Sequence, residues 1–366
     1  MSLGIKKIFL ILLTAVIVCL QGCSGKRAQR AGTLLTITDK DGYTIVEIAD
    51  PWHSEQMLHR YVLVPKGRPL PQSLPEATVI RTPLENVLVF SDVYSRPIAE
   101  LGDAGSIKSV VDAQYFKTEA VVAGLNNGTI VDCGQSTSPS VEKIISAKPE
   151  AIILSPMENA GYGALERMNI PLIEMADYME SNPLQRAAWI EFLGLLYGKR
   201  DEAVAVYNKV KDEYTNLKAI AAKAKKKPMV VSEYVINGVW YVPGGKSYKA
   251  SLFADAGALY PWADNDKTGS LPLDFSLVIS KAQAADFWLV NVYGFELTKE
   301  RMLGLYPHNN QMKAFDTGGV YYVNSATTGI FEETAFHPER LLREYVKIFH
   351  PELLPDYSLR YYKQMK

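Results

Sequence analysis

The chain has 366 residues, 48% of them hydrophobic and 22% charged, with a formal net charge of −1. These are the proportions of a globular protein long enough for two domains, and the balanced charge excludes a nucleic-acid partner that needs a basic field. Three cysteines are too few for a fold built on disulfides.

In chain order, Lys6 and Lys7 precede an almost unbroken apolar run from Ile8 to Leu20. The run falls short of the roughly 20 residues that a membrane-spanning helix needs. It therefore reads as the core of a signal peptide rather than a permanent anchor. Leu20-Gln21-Gly22-Cys23 follows directly and resembles the bacterial lipobox. The resemblance implies that residues 1–22 are a lipoprotein signal peptide and that Cys23 is lipidated, holding the mature chain on a membrane at the periplasm or cell surface. The alternative is an ordinary signal peptide with a chance cysteine. Cys19 leaves with the leader, and Cys133 reads as a buried small residue because no histidine lies near it in sequence.

Residues 23–77 are expected to hold a short polar tether and a β-hairpin. Leu35 to Thr38 and Tyr43 to Val46 flank Asp41-Gly42, a signal for a type I′ turn. Residues 78–182 then alternate short apolar runs with helical stretches. Strands are expected at Val87–Phe90, Ile107–Val111, Ala151–Leu154 and Pro171–Met175. Helices are expected at Ser95–Leu101, Thr118–Leu125 and Tyr162–Met168, with another opened by Ser138 as N-cap and Pro139 at its first position. This alternation predicts βαβ units and a mostly parallel sheet.

Residues 183–227 break the rhythm. Trp189, Phe192, Leu193 and Leu196 fall on one helical face. From Asp201, read as an N-cap, a helix is expected to run to about residue 226, with lysines at its end and Pro228 as the stop. So long and polar a helix suits a spacer between lobes better than a core element. Residues 228–366 resume the alternation, with strands expected at 229–234, 286–291 and 320–323 and helices at 247–256, 274–284 and 337–349. The fold class expected is α/β: two lobes with mostly parallel sheets joined by a single long helix.

That order resembles the substrate-binding proteins of ABC importers for ferric siderophores, haem and cobalamin. The likeness rests on Val141 to Ile145 followed by Lys148-Pro149-Glu150, on Trp189-Ile190 with Phe192-Leu193-Gly194, and on Asn237 to Tyr241 with Pro243-Gly244-Gly245. Asp255-Ala256-Gly257, Asp286-Phe287-Trp288 and His337-Pro338-Glu339 extend it. It implies a monomer that captures a metal chelate between its lobes, has no cofactor or catalytic residue of its own, and hands its ligand to a membrane permease driven by a cytoplasmic ATPase. An acid on each lobe is expected to dock on the permease. The first maps to Glu142, for which the alternative role is a plain interaction with the helix dipole. On the second lobe Ser276 stands where the family has glutamate, so either Asp274 substitutes or that contact is absent.

The ligand is expected among the aromatic residues on loops after strands: Tyr94, Tyr115, Trp240, Tyr241, Tyr248, Trp262 and Tyr293, with Glu158. Such rings supply wide contact at low entropy cost and suit a macrocycle or catecholate. Arg81 and Arg96 are weaker candidates for pairing with an anionic chelate. Three other readings compete. A bare zinc or manganese site needs several histidines, but residues 78–180 contain none of the chain's five. An exported enzyme lacks its usual signatures: the phosphate-loop and dinucleotide-loop spacings at Gly245-Lys246-Ser247 and Gly161-Tyr162-Gly163 are incomplete. A surface lipoprotein that sequesters such a chelate without an importer stays open because of Ser276.

Overall fold

The structure is a computed structural model that describes residues 27–28, 32–53 and 55–366. The signal segment and Cys23 lie outside the described residues. Arg27–Ala28, within the expected tether, pairs antiparallel with Leu35–Lys40. The expected hairpin grows into a five-stranded sheet. Leu35–Lys40, Tyr43–Ala49 and Met57–Pro65 run antiparallel, and Thr78–Thr82 returns parallel to the last of them. Its turn is not type I′, because Gly42 takes φ +86° but Asp41 does not enter the left-handed region that this turn requires twice.

This sheet is not an appendage. Ile37, Val46, Ile48, Tyr61 and Ile80 share one hydrophobic core with Val87, Val89, Trp189 and Phe192. Tyr61 also bonds the edge of the neighbouring parallel sheet. Its hydroxyl donates to Leu172 O at 2.9 Å and accepts from Glu174 N at 2.9 Å.

The first lobe is an all-parallel sheet in the order Leu172–Glu174, Ala151–Leu154, Val87–Val89, Ile107–Val110, Val131–Asp132. Val87–Val89 and Ala151–Leu154 are buried throughout, as strands covered on both faces must be. Two local expectations fail here. Ser138–Pro139 is a short strand against Gly134–Gln135, and Ser140, held extended by its N–H to Cys133 O at 2.7 Å, caps the helix Val141–Ala147. Tyr162–Met168 forms only a single turn at Leu165–Arg167. Gly163 at φ +58° and the Glu166 carboxylate, which takes the Tyr162 N–H, stop a helix from starting earlier.

Helices Pro183–Ala187 and Ile190–Leu196 lead to the long helix Arg200–Ala221. Lys199 precedes it, so Asp201 lies in its first turn rather than at the cap. It ends at Ala221, before the lysines, where the chain turns towards the strand Val230–Ser232. Its 22 residues span about 33 Å. The polar-spacer reading also needs correction. Ala203, Tyr207 and Val210 belong to the first core, while Tyr214, Leu217 and Ala221 belong to the second. One apolar stripe thus serves both lobes, and each large side chain contributes roughly 1.5–3 kcal/mol of burial.

The second lobe has a parallel set, Val230–Ser232, Phe287–Val292 and Val320–Asn324, edged by the antiparallel Lys363–Gln364. An antiparallel sheet of Val235–Ile236, Val239–Pro243 and Ser270–Leu273 stands beside it. Gly244 and Gly245 let the backbone close this corner. A Cβ at Gly244 would lie 2.2 Å from Lys267 O, and one at Gly245 would lie 2.4 Å from Trp262 O. Helices Tyr248–Asp255, Phe275–Ala282 and Pro338–Phe349 match the sequence expectation to within a few residues.

Candidate ligand-binding site

A cavity of about 590 Å³ opens between the two lobes. Its walls follow parallel strands at their carboxyl ends, the place where open α/β sheets receive ligands. On the first lobe, Val93 follows Val87–Val89, and Tyr178 and Met179 follow Leu172–Glu174. On the second, Glu233 and Tyr234 follow Val230–Ser232, while Asn291 and Val323 sit at the ends of their own strands. The antiparallel sheet supplies Tyr241 and Ser270, and the start of the helix Tyr248–Asp255 supplies Tyr248 and Lys249. Six tyrosines border the cavity: Tyr178, Tyr234, Tyr241 and Tyr248 are at least partly exposed, while Tyr345 and Tyr362 are buried at its base.

Two cations reach this space, and each has a carboxylate partner. Arg186 Nε lies 2.9 Å from Asp177 Oδ2, and its guanidinium covers the Tyr248 ring at 4.6 Å. Asp177 is fully buried and also accepts from the Tyr94 hydroxyl at 3.1 Å. Burial raises the Asp177 carboxyl above its ordinary range, against the pull of Arg186 and Tyr94. Burial would lower Arg186, but Tyr248 and Asp177 outweigh it and the guanidinium is held more firmly charged. Lys249 pairs with Glu233, which likewise overcomes burial and raises the ammonium pKa. Tyr178, half-buried and beside Asp177, is pushed up to about 12 by desolvation and the Asp177 charge, and its hydroxyl donates to Pro156 O at 2.6 Å.

The structure sorts the residues singled out from sequence. Tyr241 and Tyr248 face the cavity. Tyr115 and Tyr293 are exposed and meet each other edge-on across the lobes, ring centres 5.9 Å apart. Tyr94 is buried behind the wall, where it holds Asp177 and bonds Ser155 Oγ at 2.5 Å. Trp240 and Trp262 also lie in the core rather than on the wall. Trp240 stacks on Trp288 at 5.2 Å, and Trp262 meets Tyr260 edge-on. Both rings fill the second lobe because their large apolar area gains more from burial than from half-exposure. Glu158 stands exposed on the loop after Ala151–Leu154, outside the cavity lining. Arg81 donates to Lys66 O and Arg68 O, far from the cleft. Arg96 lies 4.0 Å from Glu333 on the facing lobe.

Glu142 is exposed in the first turn of Val141–Ala147. Asp274 is exposed at the N-cap of Phe275–Ala282 but makes no capping bond, and Ser276 is exposed beside it. Each histidine has a protein neighbour: His53 meets Asp50, His59 meets Glu174 and Thr78, His308 packs on Tyr306, His337 bridges Glu100 and Glu339, and His350 contacts Ala256 O.

Arg186, Glu233, Lys249, Tyr345 and Tyr362 escaped the sequence reading. Arg186 and Lys249 sit on helices and Tyr345 on the last long helix, where nothing in the local pattern distinguishes a cleft side chain from a core or surface one. Tyr178 was within reach, since it follows a strand by the same rule that selected Tyr94.

The family model for periplasmic binding proteins matches residues 91–327. An uncharacterised lipoprotein of Methanocaldococcus jannaschii is 28% identical over 251 residues, 63% of this chain and 59% of that protein's own length. The chain thus spans less than two thirds of that relative. A ferric-hydroxamate transport protein of Saccharomonospora viridis superposes with a TM-score of 0.57 at 14% identity, covering 73% of this chain and 94% of the other. The haem-binding periplasmic protein of Roseiflexus gives 0.53 at 17%, covering 73% and 99%. The vitamin B12-binding protein of Vibrio cholerae gives 0.55 at 11%, covering 75% and 99%. These likenesses show a shared fold of two lobes around a cleft. With the family model spanning more than half of its length, the chain belongs to the periplasmic binding protein family.

Proposed function

We propose that this protein captures an iron-siderophore, haem or cobalamin-like chelate in the cleft between its lobes and delivers it to an ABC importer, held on a membrane through a lipid on Cys23. The observation that carries the reading is the cavity of about 590 Å³ bordered by six tyrosines, of which Tyr178 and Tyr234 follow parallel strands and the others come from the antiparallel sheet, two helices and the C-terminal segment. Rings with hydroxyl tips give broad apolar contact to a bulky planar or caged ligand and still hydrogen-bond its rim. The three structural neighbours, named for a ferric hydroxamate, haem and vitamin B12, support this ligand class. Tyr115 and Tyr293 are assigned to the mouth, and Glu142 and Asp274 to permease docking.

The test is a thermal-shift screen of the purified protein against ferric siderophores, haem and cobalamin, with zinc and manganese as controls. A ligand at 100 times its dissociation constant stabilises the folded state by roughly 2.7 kcal/mol. A shift with zinc alone, or with no chelate, rejects the reading. Docking is tested separately by Glu142→Lys. Its exposed site predicts a stability change within about 0.5 kcal/mol together with loss of importer ATPase stimulation. An importer that responds equally to both proteins removes Glu142 from docking, and one that responds to neither favours sequestration without delivery.

A further inference from the structure

We propose that the cleft selects a chelate carrying no net charge: the two cations that reach it, Arg186 and Lys249, are already neutralised by Asp177 and Glu233. The inference rests on the chelate-binding reading above and sharpens it, because charge divides the candidate ligands. Cyanocobalamin and ferrichrome, a ferric trihydroxamate with no further charged group, are neutral overall. Ferric tricatecholates are triply anionic, and haem carries two propionates.

The charged residues facing the cavity, among those described, are Arg186, Lys249 and Glu233, with Asp177 directly behind Arg186. The count balances. A polyanionic ligand would have to break one of these pairs or stay uncompensated in a partly desolvated space, and either course is unfavourable. The flank of the cleft offers no relief. Lys117 lies 3.0 Å from Glu332, and Arg96 faces Glu333.

The Lys249–Glu233 pair is held by the backbone as well as by charge. Glu233 sits at φ +65°, a left-handed conformation that is unfavourable for a residue with a Cβ. Its N–H donates to Leu289 O at 2.9 Å, and its carbonyl accepts from the Trp288 indole at 2.7 Å. Backbone strain of this kind persists where surrounding structure imposes it, and such places cluster at ligand sites. Here it directs a carboxylate at Lys249 within the cavity. The remaining polar lining is neutral: tyrosine hydroxyls with Thr268, Ser270, Thr334 and Asn291. Neutral donors and acceptors of this kind suit hydroxamate and amide groups.

The experiment is isothermal titration calorimetry of the purified protein with four probes: ferrichrome and cyanocobalamin as neutral chelates, ferric enterobactin and haem as anionic ones. A neutral chelate is expected to bind at least about 100-fold more tightly than either anion. An anionic chelate that binds as tightly as the better neutral one overturns the proposal while leaving the chelate-binding function intact. Failure of all four rejects that function and the proposal with it. Two variants act in opposite directions, so that a folding defect in one does not decide the matter. Glu233→Gln frees the ammonium and is expected to improve ferric enterobactin binding about 10-fold. Lys249→Met frees the carboxylate and is expected to improve binding of the cationic ferrioxamine B chelate by a similar factor. If neither variant changes the order of preference, charge balance does not set selectivity.

Discussion

Two sets of charges line the space between the lobes, and they are wired differently. In the cleft, Asp177 holds Arg186 and Glu233 holds Lys249, so each cation is matched on its own side of the cavity. Along the flank the pairs cross from lobe to lobe: Lys117 to Glu332, Arg96 to Glu333, and Glu100 to His337 at 2.8 Å. Opening the cleft therefore breaks few of the first set and strains the second. The difference teaches where each set acts. The inner pairs sit where the proposed ligand would rest, while the outer pairs and the long helix tie the two lobes together.

The sharpest way to break this comparison is to remove one inner partner. Arg186→Met leaves the fully buried Asp177 carboxylate with no cation beside it, held by the Tyr94 hydroxyl and its own backbone N–H. Urea unfolding is expected to show a loss of about 3–5 kcal/mol. Adding Asp177→Asn should restore much of it, and failure to do so would mean that the guanidinium matters for packing over Tyr248 rather than for charge.

The next effect belongs to the flank. Burial disfavours the charged form of His337, but Glu100 and Glu339 outweigh it and raise its pKa to about 9 from 6.5. Arg96 and Arg340 also face Glu100. Because the folded pKa lies above the unfolded one, the pair's stabilisation is full below about pH 6.5 and is lost as pH rises through 9. No more than about 3 kcal/mol is at stake. Unfolding free energies measured at pH 6, 8 and 10 should fall along this course, and His337→Gln should flatten it.

The smallest effect is expected at Lys117→Met. A part-buried pair of this kind contributes under about 1 kcal/mol, so the melting temperature should barely move. Paired spin labels on the two lobes should nonetheless report a broader distance distribution. An unchanged distribution would show that the long helix alone sets the range of motion.

The elements themselves were largely legible. Val87–Val89, Ala151–Leu154 and Phe287–Val292 announce themselves as short apolar runs between breakers, and the order of strands and helices predicts two α/β lobes. The site was legible only in part. Tyr241 and Tyr248 were reached by placing aromatic residues on loops after strands, yet the same rule selected Tyr94, Trp240 and Trp262, which are buried. The loops expected there are in fact a helix at Tyr94, a strand at Trp240 and Tyr241 and a helix start at Tyr248, so a position shortly after a strand says only that a side chain is near the crevice. Whether it points inward is decided by one residue of register, as Val93 on the wall and Tyr94 behind it demonstrate.

The sequence by itself determined the α/β alternation and the break into a long helix, because these depend on patterns within a few residues of chain, whereas the residues that cap and end particular elements were often displaced by a few positions. Only the tertiary structure decided that the long helix shares its buried face between two cores, that the N-terminal strands clamp the first lobe, and that Arg186 and Lys249 meet their carboxylates in one cavity. Those outcomes depend on groups far apart in sequence. Their pairing is set by which surfaces must leave water together, and local propensity carries no record of that choice.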